Sequence, residues 1–206
     1  MKYQDNINEV AALQPDYLGF IFYKKSSRFF EEGILKVPNN IKKVGVFVNA
    51  SLDEVIEKIN KYDLKAIQLH GAESPTFCEA IKQHDETHHE GELEIIKAFA
   101  IEAHFNFDIL TPYESVCDYY LFDTKGKLPG GNGYVFDWSV LKNYPTTKPY
   151  FLSGGIGMKE QHNLKTFFET DASKYCYAID VNSQFERAAG MKDAEKIKEF
   201  KNQLLL

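Results

Sequence analysis

The sequence predicts an α/β fold, a (β/α)8 TIM barrel with its first β-strand missing from this chain, and three observations carry that prediction. Short apolar, β-rich runs alternate with helix-patterned segments along the whole of the 206 residues. The runs are nearly continuous in their apolar character, which suits strands covered on both faces, as in a parallel sheet. Seven such runs can be counted, one fewer than this architecture needs to close. No linker, repeat or low-complexity tract divides the chain, so residues 1–206 are expected to form a single domain.

The expected strands span 17–23, 43–48, 66–69, 94–99, 119–123, 149–153 and 175–181. Helices are expected at 52–61, 75–83, 137–143, 159–169 and 192–204, and the series Ser51-Leu-Asp-Glu54 reads as a capping box opening the first of them. The intervals after Phe22 and Phe99 have no clear helical pattern. Residues 5–13 (DNINEVAAL) carry a helix cap and apolar spacing, so a helix precedes the first strand. In a right-handed βα repeat that helix should itself follow a strand. The missing piece is therefore expected at the amino end.

Composition narrows the function. A net charge of −6 argues against nucleic acid as a partner, since phosphate neutralisation needs a basic face. Cys78, Cys117 and Cys176 are widely spaced and form no CxxC, which suits reduced thiols in the cytoplasm. No run has membrane-spanning length, and MKYQDNINEV does not read as a signal peptide. A small-molecule partner is expected, with no membrane and no nucleic acid.

The stretch YYLFDTKGKLPGGNGYVFDW, 119–138, places Asp123 at the end of a buried strand beside a glycine-rich loop, which is how a proton donor is presented to a small substrate. FLSGGIG (151–157) and AIDVNSQFE (178–186) follow the last two strands, where barrels often build a phosphate site. Glycines there allow close backbone approach, and free N–H groups favour an anion. Gly154, Gly155 and Ser183 are the candidates. Asp180 is a poor phosphate ligand and better suited to a substrate hydroxyl or amine. Arg28, in KKSSR after the first strand, offers a planar fork for a carboxylate, although most such clusters are solvated loops. His70 in QLHG is expected to line the site. His84 and His88 have i, i+4 spacing, but Asp85 replaces the glutamate of HExxH and a solvated connection explains the run; no metal site is expected. The NAS sequon at Asn49 is explained by Ser51 as a helix cap. None of the cysteines is placed as a nucleophile.

With these motifs in order, the chain resembles the phosphoribosylanthranilate isomerase family of tryptophan biosynthesis. The matching runs are DYLGFIF, SSR, KKVGVFVNAS, IQLHG, IIKAF, YYLFDTK, GGNGYVFDW, FLSGGI, AIDVNS and GMKD, in the family's order and over nearly the whole length. The resemblance implies a cofactor-free Amadori rearrangement of N-(5-phosphoribosyl)anthranilate to 1-(2-carboxyphenylamino)-1-deoxyribulose 5-phosphate. It implies Asp123 as general acid, which needs a carboxyl protonated at neutral pH; Lys125 would oppose that if it points inward. It further implies Arg28 on the anthranilate carboxylate, His70, Gly131 and Asp180 lining the substrate site, and phosphate at the Gly154-Gly155 and Asn182-Ser183 turns.

Three departures from the family pattern stand out. Asn132 replaces a threonine in the GGTG loop, and Gln184 replaces a glycine after NS. The family also opens with a strand ending in K-x-C-G, whose cysteine is the general base, and Met1 aligns with the residue after that glycine. Impaired turnover and reduced stability are the expectation for the chain as it stands. Two alternatives stay open: a non-catalytic barrel that binds a phosphorylated ligand, and the related histidine-pathway Amadori isomerase, whose substrate carries two phosphates.

Overall fold

Seven parallel strands in strict sequence order make the single large sheet of the computed structural model, which describes residues 1–31, 33, 36–88, 91–102, 104–124 and 135–204. They are β1 (Tyr17–Ile21), β2 (Lys42–Phe47), β3 (Ala66–Leu69), β4 (Glu94–Ile101), β5 (Tyr119–Thr124), β6 (Tyr150–Leu152) and β7 (Cys176–Ile179). A small antiparallel hairpin comes next, β8 (Glu186–Ala188) and β9 (Met191–Lys192). The α-helices are α1 (Gln4–Ala11), α2 (Leu52–Tyr62), α3 (Pro75–His88), α4 (Gln161–Phe168) and α5 (Ala194–Leu204).

Strand alternation divides the buried side chains into two sets. Val44, Ala66, Ile96, Ala98, Leu121 and Phe151 pack together on one face of the sheet, with Tyr17, Tyr119 and Ala178 against them. The opposite face sends Phe20, Phe47, Leu69, Ile95, Tyr120 and Leu152 into the larger core under the helices. Helix α2 shows how the helices join that core: Val55, Ile59 and Tyr62 are its buried residues, spaced along one stripe. Ser51 Oγ accepts from the Glu54 amide at 3.2 Å, as the capping pattern requires, and Asp63 ends the helix in the left-handed conformation.

The sheet is curled. The ring of Tyr17 on β1 meets Phe151 of β6 at 5.3 Å and Tyr177 of β7 at 6.5 Å, edge to face, so the first strand comes round to the last two. Among the described residues no backbone ladder joins β1 to β7. Beside β1 lies Met1, buried, its amine donating to the Gly19 carbonyl at 2.6 Å. Burial is the main reason its pKa falls to about 5.

Several elements differ from the sequence expectation, each for a local reason. Residues 138–143 form a 3-10 helix, not an α-helix, capped by the Asp137 carboxylate on the Ser139 amide. The open interval after β4 holds another 3-10 helix, Phe107–Tyr113, while residues 22–31 after β1 hold no helix. The expected loop around His84 is the last turn and a half of α3, which runs on to His88. Asp85 there is buried and accepts from the Leu93 amide at 2.9 Å, tying helix to strand. No described helix is long and apolar enough to cross a membrane.

Candidate active site

All seven strands run the same way, so the residues at their carboxyl ends gather on one side of the sheet. Asp123, near the end of β5, has Oδ2 at 3.2 Å from His70 Nε2, beyond the end of β3. The Gln68 amide reaches His70 Nδ1 from the same strand face. With Gln68 donating to Nδ1, the neutral ring carries its proton on Nε2 and donates to Asp123. His70 therefore faces the candidate acid directly.

The glycine pair after β6 is pressed against the same carboxylate. Gly154 has φ +90° and Gly155 φ +71°, a region that L side chains rarely adopt. A methyl group at Gly154 would lie 2.6 Å from Asp123 Oδ1, and closer still to the Thr124 backbone nitrogen and hydroxyl. Thr124 Oγ1 donates to the Gly154 carbonyl at 3.2 Å and accepts from the Phe136 amide at 3.1 Å. One hydroxyl thus joins the acid's strand, the glycine turn and the far end of the loop. Gly157 is in close contact as well: a methyl there would sit 2.9 Å from Gln184 Cβ, so the two candidate phosphate turns touch.

Asp180, after β7, accepts from Ser153 Oγ at 2.8 Å, and its amide donates to the Leu152 carbonyl at 2.8 Å. Part of its surface reaches solvent, yet protein surrounds it closely. That burial pushes its carboxyl above the ordinary range; the Ser153 hydroxyl opposes the shift and the charge of Asp123 adds to it. Two acids therefore share one electrostatic environment. Asn182 and Ser183 form the next turn, and the Asn182 side-chain oxygen accepts from Lys192 Nζ.

Arg28 stands apart from this group. Its Nε and Nη2 are held by Glu186 of β8, with Nη2 at 2.7 Å from Oε2. Gly131, together with Lys125 and Asn132, lies outside the described residues.

The chain also matches a known family. The family model for N-(5'-phosphoribosyl)anthranilate (PRA) isomerase covers residues 1–203. The chain belongs to the phosphoribosylanthranilate isomerase family. It is thereby an isomerase of the tryptophan-biosynthesis type. The isomerase of Parabacteroides distasonis is 39% identical over 211 residues, with all of this chain and 90% of the relative covered. That of Phocaeicola vulgatus is 34% identical, with 99% and 94% covered. Among solved structures, the Thermotoga maritima isomerase superposes with a TM-score of 0.79 at 27% identity, covering 100% of this chain and 95% of that one. Another, at a TM-score of 0.76 and 25% identity with the same coverage, is a complex with reduced 1-(o-carboxyphenylamino)-1-deoxyribulose 5-phosphate.

Of the departures from the family pattern, Gln184 can be judged: it is not among the positive-φ residues, so its backbone does not need glycine here. Sequence reasoning passed over four groups at this end of the sheet. Gln68, Ser153 and Glu186 lay inside the quoted motifs with no role assigned. Lys97 is the fourth, 2% exposed in β4, where it donates to the carbonyls of Leu69 and Gly71 and pairs with buried Glu73 at 3.3 Å. It locks the turn that presents His70. A cation within the apolar run EIIKAFAI was the available signal.

Proposed function

We propose that the chain acts on N-(5'-phosphoribosyl)anthranilate with Asp123 as the proton donor. The supporting observation is the convergence of the Asp123 carboxylate, the Gly154 turn and Asp180 at one end of the sheet. Asp123 gives its proton to the furanose ring oxygen, the C1–O bond breaks, and the anthranilate nitrogen lone pair forms the C1=N bond. A base then removes the C2 proton, and that electron pair becomes the C1=C2 bond of an enolamine. Protonation at C1 and loss of the C2 hydroxyl proton give the ketone. Arg28 takes the anthranilate carboxylate, Asp180 a ribose hydroxyl or the amine, and the turns at Gly154-Gly155 and Asn182-Ser183 take the phosphate. His70 orients Asp123, and Gly131 belongs to the loop over the substrate. A phosphorylated small molecule bound to a structural relative fits this reading. The setting is one cytoplasmic domain.

The finer fold rests on the same reading. We infer that the seven strands are the wall of a (β/α)8-type barrel. Its support is the curl of the sheet, which brings Tyr17 of β1 onto Phe151 of β6 and Tyr177 of β7.

The acid is tested by Asp123→Asn. Conversion of N-(5'-phosphoribosyl)anthranilate should fall about 10²–10⁴-fold, the usual worth of a general acid. Affinity for the reduced product analogue should change by only a few-fold. A variant retaining a third of the parent rate would rule Asp123 out as the donor.

A further inference from the structure

The carboxylate-binding candidate and the phosphate turn are joined by one buried acid that neither role explains. Glu186 has a side chain only 5% exposed. It accepts from Arg28 Nε at 3.0 and 2.9 Å, from Lys192 Nζ at 2.9 Å and from the Gly190 amide at 3.0 Å. Lys192, equally enclosed, also donates to the Asn182 side chain, while its backbone exchanges hydrogen bonds with Asn6 of α1. The hairpin β8–β9 thus fastens a chain of contacts: Arg28, Glu186, Lys192, Asn182.

A guanidinium has five N–H donors in a planar fork. Glu186 occupies the Nε–Nη2 side. Among the described residues nothing bonds to Nη1, so the Nη1–Nη2 end remains for a second carboxylate. Arg28 belongs to a segment without regular structure, and its side chain has many rotamers when unpaired. A second cation, Lys192, lies on the same acid, so without Glu186 the two positive charges would repel each other.

We propose that Glu186 is a positioning residue for Arg28, fixing the guanidinium by one side so that its free end receives the ligand's aromatic carboxylate. Lys192 is the counter-charge that couples the same acid to the phosphate turn. This deepens the assignment of Arg28 above and rests on it. The charge balance agrees: burial alone would raise the Glu186 pKa, but Arg28 and Lys192 outweigh it and hold the group below its ordinary value, ionised at neutral pH.

Calorimetric titration with two ligands tests this: reduced 1-(o-carboxyphenylamino)-1-deoxyribulose 5-phosphate, and the same compound lacking the ring carboxylate. Arg28→Ala should weaken only the first. Glu186→Gln should weaken the first about tenfold and the second less than twofold, the loss of one well-placed charge-assisted contact. Glu186→Asp, which keeps the charge, should recover part of the difference. Equal weakening of both ligands, or of neither, overturns the positioning role. If Arg28→Ala itself does not separate the ligands, the Arg28 assignment fails and this inference with it. Arg28→Lys decides the matter even if the Glu186 variants do not fold. An ammonium has no second edge and should lose the discrimination as fully as alanine; full retention refutes the two-edge geometry.

Discussion

Replacing Gly154 with alanine separates backbone strain from steric conflict at the point where the glycine turn meets Asp123. Two costs add. A non-glycine residue at φ +90° pays roughly 1–2 kcal/mol for the left-handed conformation. The methyl group must also displace atoms: Asp123 Oδ1 would be 2.6 Å away, and the Thr124 backbone nitrogen, which cannot swing aside, closer. Forced overpacking of this kind typically costs about 1–3 kcal/mol. Together they give roughly 2–5 kcal/mol, a fall in Tm of roughly 5–15 °C for a chain of this size. Gly91→Ala is the matched control, with φ +75° but nothing nearer than 3.7 Å among the described residues. It should carry the conformational cost alone, roughly 2–6 °C. Calorimetric melts of the two variants against the parent make the measurement. Affinity for the reduced product analogue should fall for Gly154→Ala only, because its methyl pushes on the acid and the anion turn together. A Gly154→Ala melt no lower than that of Gly91→Ala would refute the close packing of turn and acid.

Other perturbations read other parts of the molecule. Lys97→Met leaves buried Glu73 without its cation, held by the Asn49 and Gly71 amides alone, so urea denaturation should show a loss of about 3–5 kcal/mol. Adding Glu73→Gln should restore part of that loss; simple additivity of the two single effects would count against a coupled pair. Asp180→Asn should stabilise near neutral pH, because burial raises the folded pKa above the reference value of 3.8. Linkage gives the sign: the protonated carboxyl suits the fold, so its contribution is complete below pH 3.8 and is lost as pH rises through the folded pKa. Melts of parent and variant should therefore converge in acid and diverge above it. A constant difference across that range would place the effect elsewhere than in ionisation.

The strands were legible because burial on both faces leaves near-continuous apolar runs that are too short for helices. All seven runs are strands, and QLHG, LSGGI and the run ending in Asp123 lie at their carboxyl ends. Helical regions were harder where capping and local geometry outweigh periodicity. Asp137 does cap residues 138–143, but they form a 3-10 turn, with Pro145 two residues beyond its end. The run HDETHHEGE looked like polar loop because its composition is polar, yet α3 continues through it, anchored by the buried Asp85 and its bond to Leu93.

Site residues divide along a different line. Asp123, Gly154 and Asp180 could be grouped as candidates because each sits where a parallel strand ends, and the fold alone brings such positions together. Glu186 and Lys192 were not, because their meaning depends on partners far away in sequence: Arg28 lies 158 residues from Glu186, and Asn6 186 from Lys192. Sequence spacing carries no signal across such distances; only closure of the curled sheet, bringing β1 beside the hairpin after β7, creates those contacts. The same closure explains why the first and last parts of the chain carry linked roles. A cation placed by β1 can recognise a ligand only when the acid that orients it arrives from the far end. The packing of the hairpin after β7 against the segment after β1 is therefore a condition of that orientation, and a change that loosens it should cost carboxylate recognition before it unfolds the sheet.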